Sequence, residues 1–265
     1  MDIAGFGIMM FSRIGFSWRV LGTGLGFITI GIGGVFLFPL LNVLIYDRQR
    51  RSEVARHFIH VVFRGIVAWM QAIGVFRCDV RGVERLKRNG LLILANHPTL
   101  IDIVFLMAFV KRAACVVKSG LWRNPFTRAT VAAAGYIRND SDVARVLADC
   151  IEAVHCGNNL IIFPEGTRTR PDKGIVLRRG AANIAVRALC NVTPVLIHCA
   201  PPMLTKGERW WRLPSSATHF VIDVKEDIDV RSFVAAAGNE KLAARQLTHY
   251  LQQYFTRELQ RHAIV

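Results

Sequence analysis

Residues 91–102 read LLILANHPTLID. The apolar run 91–95 has the length and Leu/Ile content of a buried strand. It stops at Asn96 and His97, just ahead of Pro98. A proline disfavours helical geometry in the residue before it, and is itself tolerated where a helix begins. A second apolar run, 101–110, then has helical length. The stretch therefore reads as a strand turning directly into a helix, the unit from which parallel α/β sheets are assembled.

The same alternation recurs on both sides. Strand-like runs lie at 76–80, 114–117, 159–163, 193–199 and 219–224, and helical stretches at 125–134, 142–156, 180–189 and 239–261. The expectation is an α/β fold over residues 77–265, with a mostly parallel central sheet flanked by helices. No internal repeat or low-complexity linker interrupts it. In such sheets the chemistry gathers in loops that follow the carboxyl ends of strands.

Upstream, residues 20–46 (VLGTGLGFITIGIGGVFLFPLLNVLIY) carry no charge. As a helix this run reaches roughly 40 Å, more than the about 30 Å of a hydrocarbon core. It is too long for the apolar region of a signal peptide, and no small-x-small cleavage site ends it. Arg13 and Arg19 precede it and Arg48, Arg50 and Arg51 follow. A spanning or re-entrant anchor is expected, with Pro39 and the glycines bending or dividing it. Residues 52–75 place Val54, Phe58, Val61, Val62, Ile66 and Trp69 at three- and four-residue spacing, as an amphipathic helix does. Residues 1–76 are thus expected to form a membrane anchor, and the arginines after the apolar run orient the following domain to the cytoplasm.

The 265-residue chain has 34 Lys and Arg against 19 Asp and Glu, a net charge of +15. That field attracts either nucleic acid or acidic phospholipid. The basic residues are scattered (48–51, 87–88, 178–179, 209–212), without a zinc-finger or RNA-binding signature. With the apolar run, a membrane is the expected partner and nucleic acid is not. Six cysteines include no C-x-x-C pair, which argues against zinc knuckles and thioredoxin-type chemistry. They are expected to be buried, reduced thiols, and no metal site is expected.

Two segments carry candidate chemistry. His97 and Asp102 would sit about 140° apart on a continuous helix. Pro98 instead leaves His97 in the turn and Asp102 in the first helical turn, where the carboxylate can return to the imidazole. Such a pair acts as a base and its orienter: the imidazole accepts a proton while the carboxylate fixes its tautomer. The alternative is a T-x-x-D capping box in which Asp102 only caps the helix. The second segment, FPEGTRTR at 163–170, follows the run 159–163. Pro164 ends the strand and Gly166 allows a tight path, while Arg168 and Arg170 offer donors to phosphate oxygens. Glu165 would hold a cation or orient an acceptor, and the alternative is a solvated basic turn.

With these two blocks some sixty residues apart, the chain resembles the glycerolipid acyltransferase family, the bacterial lysophosphatidic acid acyltransferases and their relatives, over residues 77–225. The resemblance implies His97 as general base with Asp102. It implies acceptor binding by Glu165, Gly166, Thr167 and Arg168, with Asn96 beside them. Gly135-Tyr136-Ile137-Arg138 is similar to a family block whose arginine meets the acceptor phosphate, and Thr193-Pro194-Val195-Leu196 to one lining the acyl region. Two departures are visible: Pro98-Thr99, where many members have serine at the second position, and His198-Cys199, where a plain apolar strand is usual.

As to activity, the resemblance implies a membrane-associated O-acyltransferase of phospholipid biosynthesis at the cytoplasmic face of a bacterial inner membrane. It would move a fatty acyl group from acyl-CoA or acyl-carrier protein to a lysophospholipid such as lysophosphatidic acid, with no cofactor beyond that co-substrate. Two alternatives stand beside it: another lipid acceptor (a different lysophospholipid, an aminolipid or a specialised lipid), or a non-catalytic membrane-binding module. Lys118, Trp122, Arg178 and Arg179 are further candidates for phosphate contact, or surface residues.

Overall fold

A computed structural model describes residues 3–169 and 174–262; Arg170 lies outside the described residues. In chain order the elements are α1 (Ile3–Ile32), a π-helical turn (Gly33–Leu37), α2 (Phe38–Leu44), α3 (Arg48–Ala72), β1 (Phe76–Arg81), a 3₁₀ turn (Val83–Lys87), β2 (Leu92–Ala95), α4 (Asp102–Phe109), β3 (Ala113–Lys118), α5 (Ser119–Arg123), α6 (Pro125–Ala133), β4 (Ile137–Asn139), α7 (Val143–His155), β5 (Asn159–Ile162), α8 (Gly180–Ala188), β6 (Val192–Ala200), β7 (Thr218–Val224), α9 (Arg231–Ala237) and α10 (Glu240–His262).

The seven strands form one sheet in the order β1-β7-β6-β2-β5-β3-β4. From β6 to β4 all neighbours are parallel. β7 runs antiparallel to β6, and β1 runs parallel to β7. The α/β reading with a mostly parallel sheet is therefore correct. The reversed pair β1 and β7 escapes the sequence because strand periodicity is the same in either direction.

β2 lies at the centre, with all four residues buried. Its side chains alternate between two cores, as a pleated strand requires. Ile93 and Ala95 face a core built with α3, α4 and the ring cluster Phe76, Phe105 and Phe220, whose centroids lie 4.8–5.5 Å apart. Leu92 and Leu94 face the other core, with Leu247, Leu251 and Phe255 of α10 and most of α8. Because β2 lies between β6 and β5, the turns leaving β2 and β5 emerge side by side at one rim.

α3 starts at Asp47, whose carboxylate caps the helix by accepting from the Arg50 amide at 2.6 Å. Its Ala55, Ile59, Ile66, Val67 and Met70 belong to the same core as the sheet, so packing is continuous across residue 76. Arg56 is buried and donates to the Ala134 carbonyl at 2.8 Å and to Asn158 Oδ1 at 2.6 Å.

Pro39 does not divide the apolar run. It lacks an N–H, and in α-helical geometry its ring would meet the carbonyl four residues earlier. The turn ahead of it widens instead: the Phe38 amide donates to Gly33, five residues back, and the helix resumes. The stretch Ser17–Leu44 is the one helix among the described residues long and apolar enough to cross a membrane. Leu21, Leu25, Ile28, Ile32, Phe36 and Leu40 are exposed along it. The six cysteines are free, but only Cys115 and Cys150 are buried and Cys156 is exposed. The expectation of uniformly buried thiols is too broad, since several lie on helix and strand ends that reach solvent.

Candidate active site

The site is built on the turn between β2 and α4. His97 Nδ1 lies 2.8 Å from Asp102 Oδ2, with the imidazole side chain 18% exposed and the carboxylate wholly buried. The same carboxylate accepts from the Thr99 amide at 2.7 Å and from the Thr99 hydroxyl. The capping reading does not hold as stated, since Ile101 is the N-cap of α4 and no side chain caps it. The Asp102 carboxylate instead closes the turn ahead of the helix while it holds the imidazole. Burial pushes the Asp102 carboxyl above its ordinary range, while the donors from His97 and Thr99 oppose that rise. With Nδ1–H given to Asp102, the Nε2 lone pair is left available to take a proton. Phe163, the residue after β5, stacks on the ring at 4.0 Å between centroids and 19° between planes.

The turn after β5 supports His97 from the adjacent strand. Glu165 Oε1 accepts from the His97 amide at 3.1 Å and from the Thr169 hydroxyl at 2.8 Å, and the Thr169 amide donates to the His97 carbonyl at 2.7 Å. Burial raises the Glu165 carboxyl, with Thr169 and the His97 amide opposing. Gly166 has φ +69°, and a Cβ there would come within 3.1 Å of the Arg178 guanidine nitrogen. Thr167 is half-buried beside it.

Two residues expected to bind substrate are engaged elsewhere. Asn96 is buried, donating to the Ile197 carbonyl at 2.8 Å and accepting from the Ile197 amide at 2.7 Å. Its amide group continues the β2–β6 ladder one step past the strand. Arg168 Nη1 donates to the carbonyls of Leu204 at 3.0 Å and Thr205 at 2.9 Å. The Leu204 carbonyl also accepts from the Leu100 amide at 3.0 Å. Both side chains thus fix backbone around the site: a buried backbone group left without a partner is costly. Arg138 is not brought to His97 by any contact. It pairs with Asp140 at 3.3 Å and lines a separate concavity with Arg48, Trp122 and Arg145.

The Phe163 stack, the Thr169 bonds and the Leu204–Thr205 bridge lie beyond the sequence reading. Phe163 and Thr169 sit inside the quoted motif. The bridge has no local signal, since its partners lie 36 and 37 residues from Arg168.

An Acyltransferase family profile matches residues 77–198, the segment that contains both turns. A 1-acyl-sn-glycerol-3-phosphate acyltransferase of Helicobacter pylori is 30% identical over 176 residues, covering 64% of this chain and 68% of that protein. A chloroplastic one of Brassica napus is 24% identical over 188 residues, covering 67% and 53%. The chain spans about half the length of several of the curated relatives it matches. The crystal structure of a 1-acyl-sn-glycerophosphate acyltransferase, PlsC, of Thermotoga maritima superposes with a TM-score of 0.69 over 92% of this chain and 96% of that one, at 22% identity. With His97, Asp102 and Glu165 interlocked on neighbouring turns within the matched segment, this chain belongs to the acyltransferase family whose relatives bear the name 1-acyl-sn-glycerol-3-phosphate acyltransferase.

Proposed function

We propose that this chain is a membrane-attached O-acyltransferase that transfers a fatty acyl group from a thioester, acyl-CoA or acyl-carrier protein, to the hydroxyl of lysophosphatidic acid. The observation that carries the reading is the imidazole at the rim, held through Nδ1 by a buried carboxylate. His97 Nε2 takes the proton as the acceptor oxygen attacks the thioester carbonyl. The tetrahedral adduct then collapses, the C–S bond breaks, and the proton passes to the departing thiolate. Ester and free thiol are the products, and no enzyme nucleophile is required. Phe163 restricts rotation of the ring, and Glu165 fixes the backbone that carries it. The apolar helix at 17–44 supports attachment at a bilayer, where the lysolipid and its product reside.

A different lipid acceptor is the second reading. It draws on the engagement of Arg168 with backbone carbonyls and of Arg138 with Asp140, and on Arg178 as an exposed cation beside Gly166. The deciding experiment incubates the full-length protein with acyl-CoA or acyl-carrier protein and a panel of lysolipids, with mass analysis of products. Esterified lysophosphatidic acid is expected. Release of free thiol only with another lysolipid selects the second reading, and no thiol release with any acceptor sinks both.

A further inference from the structure

The segment between β6 and β7 carries Lys206, Arg209, Trp210, Trp211 and Arg212, a composition the transfer chemistry does not use. We propose that residues 205–212 form a second membrane-contact element, which docks on the headgroups of an anionic phospholipid bilayer. This rests on the membrane-attached reading above and deepens it by naming the lipid class.

Trp210 and Trp211 are 41% and 46% exposed although both are large apolar rings. They meet edge to face at 5.5 Å, and the Arg209 guanidinium lies 5.4 Å from the Trp211 ring. Trp210 also packs against Phe27 of α1 at 6.1 Å. A Cβ on Gly24 would sit 3.2 Å from the same indole, so glycine gives the ring its seat. The patch is thereby continuous with the exposed apolar side of α1, where Trp18, Leu21 and Leu25 lie. Indoles favour the boundary between acyl chains and headgroups, and each Lys or Arg there gains from anionic lipid. The one carboxylate of the segment, Glu208, is turned back to accept from the Thr205 amide at 2.9 Å, which leaves Lys206, Arg209 and Arg212 to set the sign of the surface.

The segment is also fastened to the catalytic rim. The Leu204 carbonyl receives Leu100, from the turn bearing His97, and Arg168, from the turn bearing Glu165. Leu204 itself is buried, with φ +53°. A lipid surface gripping residues 206–212 is therefore one hydrogen bond from each of the two turns that carry the site.

The test uses full-length protein in vesicles of phosphatidylcholine, with or without phosphatidylglycerol, and lipids brominated on the acyl chain. Trp210→Phe/Trp211→Phe, which keeps apolar rings in place, isolates the emission of these two indoles. Quenching of that component is expected, without any substrate present. Phosphatidylglycerol is expected to lower the apparent KM for vesicle-borne lysolipid, and Arg209→Gln/Arg212→Gln to weaken that response roughly fivefold per cation while kcat in phosphatidylcholine holds. Unquenched emission, an unchanged phosphatidylglycerol response in the arginine variant, or emission that changes with self-association in place of vesicles would each overturn the proposal. Because the quenching arm needs no turnover, a protein that transfers no acyl group but is quenched overturns the proposed reaction and not the docking surface.

Discussion

Among the described residues, two histidine–carboxylate pairs occur at the same separation. His97 Nδ1 to Asp102 Oδ2 and His219 Nε2 to Asp79 Oδ2 are both 2.8 Å. Everything around them differs. Asp102 is wholly buried, carries two further donors from Thr99, and aligns a ring that Phe163 stacks upon. Asp79 and His219 are 63% and 48% exposed on β1 and β7, at the margin of the sheet. Water and salt compete for the second pair, whereas a low dielectric strengthens the first and a fixed turn orients it. Distance alone does not distinguish the two pairs; burial and a constrained turn do, and the proposed roles of base and orienter rest on them.

His97→Ala should separate the pairs most sharply. Steady-state assays are expected to show turnover reduced by about 10²–10⁴-fold with the fold retained by circular dichroism. Undiminished turnover would place His97 with His219 as a structural residue. Next, Asp102→Asn preserves the shape but permits the wrong tautomer, and kcat should fall by about 10²–10⁴-fold with little change in KM.

That variant also has a pH signature. Burial raises the Asp102 carboxyl, so the folded chain holds the proton to higher pH than the unfolded chain, whose carboxyl titrates near pH 4. Wild-type stability should therefore fall relative to Asp102→Asn as pH climbs from below about 4 through the raised value. Denaturant midpoints across that range would show it, and a difference that stays flat would count against the shift.

Asn96→Ala tests the backbone support of the first pair. It leaves the Ile197 amide and carbonyl without partners and should cost about 1–3 kcal/mol, read as a lowered denaturant midpoint. Smallest is His219→Ala, which should change stability by about 1 kcal/mol or less and leave turnover intact. Loss of activity there would erase the contrast.

The sheet is largely legible in the sequence because β2, β5 and β6 are mostly apolar runs bounded by Asn96-His97-Pro98, Pro164-Glu165-Gly166 and Ala200-Pro201. β4, α5 and α9 are not: Ile137–Asn139 is three residues long, and Ser119–Arg123 and Arg231–Ala237 are too short for a helical period to declare itself. Within the site, His97–Asp102 is legible because Pro98 governs both ends of a five-residue span. The backbone bonds of Asn96 and Arg168 are not legible, because their targets, Ile197 and Leu204–Thr205, lie far along the chain, where no local spacing points.

The wide turn at Gly33–Leu37 sets the rotational phase of the whole N-terminal helix. Phe27 and Ile30 ahead of it, and Phe38 and Leu41 behind it, all bear on one body. Each α-helical residue advances that phase by about 100°. Deleting a single residue from this five-residue turn would let it close to α-helical geometry with nearly the same total rotation. Phe38 and Leu41 then keep facing the core, while the Pro39 ring again meets the carbonyl four residues back. A deletion at 45–47, where the helix has already ended, also leaves the phase untouched. Loss of a residue within the regular helix ahead of the turn should therefore disturb packing more than loss of one at the turn or in the short link that follows Leu44 into α3.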